Sequence, residues 1–161
     1  MDFQAAGVPS DHASRKDSDS VQVVCAHCNT TNRLPRARLG EGAKCGSCKQ
    51  ALLTGHPFEF TQANFDRQIA AANDLPLVVD FWAPWCAACR SMAPAYEEAA
   101  ARLAPGVRLA KLDTEAEPEI ATRFGIHSIP TLIAFKNGRE VARRSGATNL
   151  PGLLDWIKAS V

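Results

Sequence analysis

Leu77-Val78-Val79-Asp80-Phe81-Trp82-Ala83-Pro84-Trp85-Cys86-Ala87-Ala88-Cys89 joins an apolar run to a pair of closely spaced cysteines. Its first six residues are nearly all apolar, as expected of a central strand covered on both faces. The Trp-Ala-Pro-Trp loop ends that strand, and a helical pattern begins near Cys86. A cysteine at a helix N-terminus meets unpaired N–H groups and the positive end of the macrodipole, both of which favour the thiolate. The thiolate is the reactive form, so Cys86-x-x-Cys89 reads as a redox dithiol rather than a pair of core cysteines. Asp80 is the anomaly: a carboxylate inside a buried strand is costly without a role or a partner. Desolvation would raise its pKa and suit it to proton transfer near neutral pH; the plainer alternative is a strand-end Asp reaching water.

Outward from this stretch the pattern is α/β. The helix runs to about Leu103, Val107 to Leu112 reads as a strand, Pro118 to Phe124 as a short helix, and Thr131 to Phe135 as a strand. Asn137-Gly138 is a strong hairpin signal and leads to a further strand. Leu150, Leu153, Leu154, Ile157 and Val161 give a final amphipathic helix. Upstream, Phe58 to Phe60 is a short strand, and Phe65, Ile69 and Ala72 mark one face of a helix with Asn64 as its expected cap.

Residues 21–57 differ in kind. Their few large apolar side chains are too little to hold a fold without a staple. Cys25-Ala-His-Cys28 and Cys45-Gly-Ser-Cys48 have the spacing of a four-cysteine zinc site, which would supply the missing folding energy. The alternative is incidental or disulfide-forming pairs. All six cysteines fall in three Cys-x-x-Cys pairs, a pattern that in a reducing compartment points to metal binding and catalysis. His27, inside one of the turns, reads as a surface residue. Residues 1–20 carry four acids and two bases without periodicity and read as a mobile tail; Gly55-His56-Pro57 reads as a linker.

Together, Asp80-Phe81-Trp82-Ala83-Pro84-Trp85-Cys86, Phe124-Gly125-Ile126-His127-Ser128-Ile129-Pro130-Thr131, Phe135-Lys136-Asn137-Gly138 and Gly146 resemble the thioredoxin family in order and spacing. The upstream cysteines make the chain similar to the thioredoxin 2 class. The resemblance implies a thioredoxin fold, a mixed central sheet flanked by helices, over residues 58–161, preceded by a small zinc-ribbon-like module over residues 21–57. It also implies that Asp80 assists proton transfer with Lys111 nearby, that Ile129 and a cis Pro130 bind the substrate backbone, and that Trp85 and Gly146 border the site. One departure stands out: the family usually has Gly-Pro between its cysteines, where this chain has Ala87-Ala88. The Ala88 N–H is expected to add a donor near the Cys86 sulfur.

The expected function is a thiol–disulfide oxidoreductase, a protein-disulfide reductase of the thioredoxin type with one structural zinc. A rival reading is a zinc-dependent redox-sensing or interaction module using the fold as a binding surface. The resemblance implies thioredoxin reductase as electron donor. No organic cofactor is expected to bind, since no nicotinamide or flavin pattern is visible and Gly40-Glu41-Gly42 fits neither glycine-rich phosphate motif. No apolar run approaches the ~20 residues of a membrane span, and the N-terminal segment lacks the apolar core of a signal peptide, so a cytoplasmic location is expected. A net charge of +1 argues against a dominant electrostatic partner. The five bases of residues 21–57 come without an aromatic for stacking, so nucleic acid is not an expected partner.

Overall fold

The computed structural model describes residues 19–161. Of the expected tail, residues 1–18 lie outside the described residues, and Ser20 already begins the first strand.

Two strands, β1 (Ser20–Val24) and β2 (Thr31–Pro35), pair antiparallel. They sit over a small core of Val21, Val23, Cys25, Leu39, Cys45 and Leu52, joined by Leu75 from the larger unit. Side-chain hydrogen bonds fasten this part to the rest, among them the following. Gln68 Nε2 donates to the Val24 carbonyl at 3.0 Å, Asn29 Nδ2 to the Ala63 carbonyl at 3.0 Å, and the Gln22 N–H to Asp74 Oδ2 at 2.7 Å.

The larger unit is a five-stranded sheet in the order β3 (Phe58–Glu59), β5 (Arg108–Asp113), β4 (Leu77–Trp82), β6 (Thr131–Lys136), β7 (Arg139–Ser145). β3 and β4 run parallel to β5; β6 is antiparallel to β4 and to β7. The helices are α1 (Phe65–Ala70), α2 (Ala87–Leu103), α3 (Pro118–Arg123) and α4 (Leu150–Ser160). Because side chains alternate along a strand, β4 feeds both cores. Leu77, Val79 and Phe81 join Phe60, Phe65, Ile120 and Phe135 on one face, whereas Val78 joins Met92, Tyr96, Leu132, Leu153 and Ile157 on the other. On the first face Phe65 meets Phe60 at 5.0 Å and Phe124 at 5.4 Å between ring centroids, in edge and tilted contacts that aromatic quadrupoles favour. Each fully buried Phe, Leu or Ile contributes about 1.5–3 kcal/mol.

The hairpin forms as its sequence requires. Asn137 and Gly138 both have positive φ (55° and 75°), the backbone of a two-residue turn matched to strand twist. Asn64 departs from expectation. It makes no side-chain bond to the first turn of α1; its Oδ1 accepts from the Thr61 N–H at 2.9 Å, tying the preceding turn instead. Helix α1 is also shorter than expected, and Ala72 lies on a 3₁₀ turn that follows it.

Candidate functional site

β4 delivers its C-terminal end into the loop at Ala83–Trp85, and Cys86 becomes the N-cap of α2 with extended backbone. Its Sγ accepts the Cys89 N–H at 3.2 Å, the bond a Ser or Asp side chain would make at that position. This corrects one expectation: the donor that reaches the sulfur is the Cys89 N–H, and the Ala88 N–H contributes only its share of the helix dipole. Cys86 and Cys89 are joined as a disulfide, with Cα atoms 5.3 Å apart. Both are buried (7% and 2% exposed) while Trp85 beside them is 64% exposed, so the sulfurs lie just below an aromatic surface.

The loop before β6 faces them. The Ile129–Pro130 peptide is cis, and Cys86 Sγ lies 3.8 Å from the Ile129 carbonyl oxygen. The Pro130 carbonyl accepts the Gly146 N–H at 2.9 Å. Gly146 has φ 95°, a conformation that favours glycine, and this lets β7 leave the sheet beside the proline. The structure therefore brings Cys86, Cys89, Trp85, Ile129, Pro130 and Gly146 to one end of the sheet.

Asp80 and Lys111 lie beneath. Asp80 is 1% exposed, pairs in register with Leu132 and Lys111, and shares its sheet face with Val78, under α2. Its Oδ1 is buried without a hydrogen-bond partner. Burial pushes its pKa up to about 7, against the opposing pull of Lys111. The two form no ion pair among the described residues. Lys111 Nζ instead rests 4.2 Å from the centroid of the Trp82 ring, a cation–π contact that keeps the charge near Asp80 without neutralising it. A strand-end Asp in water is thus excluded.

The upstream cysteines form a second centre. The two turns are copies of one another: Cys25 N–H donates to Thr30 O and Asn29 N–H to Cys25 O, as Cys45 N–H does to Gln50 O and Lys49 N–H to Cys45 O. Asn29 and Lys49 hold matching left-handed conformations, φ 64° and 67°. The four Sγ atoms lie within 4.8 Å of one another, and the Cys25–Cys48 and Cys28–Cys45 pairs are at 3.6 Å. A tetrahedral zinc with bonds of about 2.3 Å sets its sulfurs about 3.8 Å apart, so the residues present fit that ion. N–H groups of His27 and Ser47 point at Cys25 and Cys45, both at 3.4 Å, and Asn32 Nδ2 reaches Cys45 at 3.5 Å. The Cys48 N–H first and the Asn32 amide second hold the Cys45 thiol down to about 6, which favours the metal-binding thiolate. His27 is exposed, as read from the sequence.

Two residues of structural importance escaped the sequence reading. Gln68, 1% exposed, accepts from Arg108 Nη1 at 2.8 Å while donating to Val24, and so stands between the two units. A signal existed, since a Gln between Phe65 and Ile69 interrupts an apolar helix face. Tyr96, fully buried, donates its hydroxyl to the Ala110 carbonyl at 2.8 Å, with the Val78 carbonyl 3.1 Å away; no local pattern announces it.

Comparison with known proteins gives two family matches. Residues 56–159 match the thioredoxin model, and residues 24–50 match the model described as thioredoxin 2, N-terminal. Thioredoxin C-3 of Corynebacterium nephridii is 42% identical over 135 residues, covering 84% of this chain and 92% of that protein. The thioredoxin of Rhodospirillum rubrum is 40% identical over 103 residues, covering 64% and 98%. That of Alicyclobacillus acidocaldarius is 52% identical over 86 residues, covering 53% and 80%.

Proposed function

The chain belongs to the thioredoxin family, and from that premise we propose that it reduces disulfides in other proteins through Cys86 and Cys89, with residues 58–161 as the catalytic domain and residues 21–57 as a metal-binding module. The observation that carries the reading is Cys86 at the N-cap of α2, its sulfur accepting an N–H, with Cys89 buried one turn on and the ionisable Asp80 beneath the same helix.

In the dithiol form the Cys86 thiolate attacks one sulfur of a target disulfide. A Cys86–target disulfide forms, the target bond breaks, and the departing target thiolate takes up a proton. Asp80, with a pKa near neutrality, accepts the Cys89 proton. The Cys89 thiolate then attacks Cys86 Sγ and expels the second target sulfur as a thiolate, which takes up a proton from solvent, leaving the Cys86–Cys89 disulfide found here. Trp85 offers the exposed contact surface, and Ile129, cis Pro130 and Gly146 border the place where target backbone lies. Two electrons from a partner dithiol, supplied in this family by thioredoxin reductase, restore the starting state.

Cys25, Cys28, Cys45 and Cys48 would hold one zinc ion. When bound, that ion supplies no redox chemistry; it ties together two turns whose own core is small. Free thiols of this kind suit a reducing compartment such as the cytoplasm.

The test is insulin-disulfide reduction by the full chain. The parent should reduce insulin catalytically and Cys86→Ser should be inactive; activity retained in Cys86→Ser refutes the assignment.

A further inference from the structure

A cavity of about 470 Å³ lies on the seam between the two units. Leu53, Pro105, Val107 and Leu109 give it apolar walls, and Ala100 and Ala104, at the C-terminal end of α2, close one side. Cys86 caps the other end of that 17-residue helix, so the cavity is about 25 Å from the dithiol and separate from it. Its size, apolar lining and few polar groups are those of a small-molecule site, and a junction between units is where such sites form.

Arg108 gives the cavity a chemical preference. Its guanidinium carbon stacks 4.5 Å from the Phe58 ring centroid, and one N–H goes to the neutral amide of Gln68. It forms no ion pair with a carboxylate among the described residues. The Gln68 amide takes one of the fork's five N–H donors, and Arg108 lies on the cavity wall. Burial lowers the Arg108 pKa to about 10, with Cys25 acting against that shift through space. The cation is partly stripped of water, and Cys25 of the metal centre, not a carboxylate, is the negative group that acts on it. Glu59, exposed, is the one carboxylate on the wall, and it disfavours an anion on its own side. Bare inorganic anions would leave the apolar walls wet.

We propose that this seam cavity binds a small amphipathic organic anion, its apolar body between the walls and its carboxylate or sulfonate on Arg108. The site lies outside the dithiol chemistry and does not depend on it.

Titration of the full chain with 1-anilinonaphthalene-8-sulfonate, beside the uncharged N-phenyl-1-naphthylamine, tests the proposal. The sulfonate should saturate one site and shift the backbone amide signals of Ala26, Leu53 and Val107. Arg108→Leu should weaken the sulfonate about tenfold or more, as loss of a charge-assisted hydrogen bond implies, while the neutral probe changes by less than about threefold. Arg108→Lys should fall between. Leu53→Trp, which fills the cavity from its wall, should abolish both probes and leave insulin reduction intact. The proposal is overturned by unchanged sulfonate binding in Arg108→Leu, by equal loss of both probes there, or by shifts centred on Trp85. Should Arg108→Leu fail to fold, Leu53→Trp decides: retained binding refutes the site.

Discussion

Asp80→Asn removes a charge from a nearly water-free site and keeps the shape of the side chain, so its consequences can be worked out with their sign. Burial raises the Asp80 pKa from 3.8 to about 7. Across that interval the folded protein keeps a proton that the unfolded chain has released, so stability falls as pH rises through the window and levels off above about 7. At about 1.4 kcal/mol for each tenfold change in proton affinity, the charged carboxylate costs the fold on the order of 4 kcal/mol at pH 8. Near pH 3.8 and below it costs almost nothing. Asn cannot ionise, and whatever its amide loses in hydrogen bonding is the same at every pH. Urea unfolding of the oxidised protein at pH 4, 5.5, 7 and 8.5 should therefore show the variant gaining on the parent by about 4 kcal/mol between the ends of the series. In melting temperature this is on the order of 10 °C. A gap between the two proteins that is the same at pH 4 and pH 8.5 would refute the burial argument and, with it, the role of Asp80 as a proton acceptor. If the acceptor role holds, the stabilised variant also resolves mixed disulfides about 10²-fold more slowly.

Cys89→Ser should accumulate a covalent complex between Cys86 and target protein, visible as a shifted band on non-reducing gels, because the resolving thiol is gone; release of target at the parental rate would contradict the order of attack. Cys25→Ser/Cys45→Ser should lower bound zinc from about one per chain to near zero by elemental analysis, and full metal content in that variant would remove the zinc assignment. Replacing Ala87-Ala88 by Gly-Pro removes the Ala88 N–H from the helix terminus, a dipole contribution of about 0.3–1 kcal/mol. The reduction potential should then become more negative by about 6–20 mV against a glutathione buffer; an equal or less negative value would show that this amide plays no part. Gln68→Leu leaves the Val24 carbonyl and Arg108 without their shared partner and should destabilise the chain by about 1–3 kcal/mol, measured by urea unfolding, with no loss expected if water replaces the amide.

The division between what could be read from sequence and what could not follows the range of the interactions. Leu77 to Trp82, the Asn137-Gly138 turn and the three cysteine pairs carry their structural meaning in adjacent residues, and each forms the element or cluster expected. Asn64 was misread because its side chain has two local uses, capping α1 or closing the turn before it, and the Thr61 N–H wins. The roles of Gln68 and Arg108 depend on partners 44 and 40 residues away, respectively, which no periodicity registers. Leu75 similarly belongs to the core of the small unit although its neighbours in sequence serve the sheet. Asp80 could be flagged as an anomaly from its setting, but its distance from solvent, which fixes the size of the pKa change, needed the packing of α2 over β4.

β4, flanked by β5 and β6 and buried on both faces, runs directly into the reactive loop. Amides in such a strand exchange with solvent only when the whole sheet opens, so the slowest-exchanging backbone in the molecule should end at its most reactive atoms. The small unit supplies none of the ladder bonds of β4, which pairs with β5 and β6, so an opening of that unit would leave these bonds in place. Turnover at the dithiol then draws on no local unfolding, and a chain that has lost its metal would keep a protected, exchange-resistant redox centre.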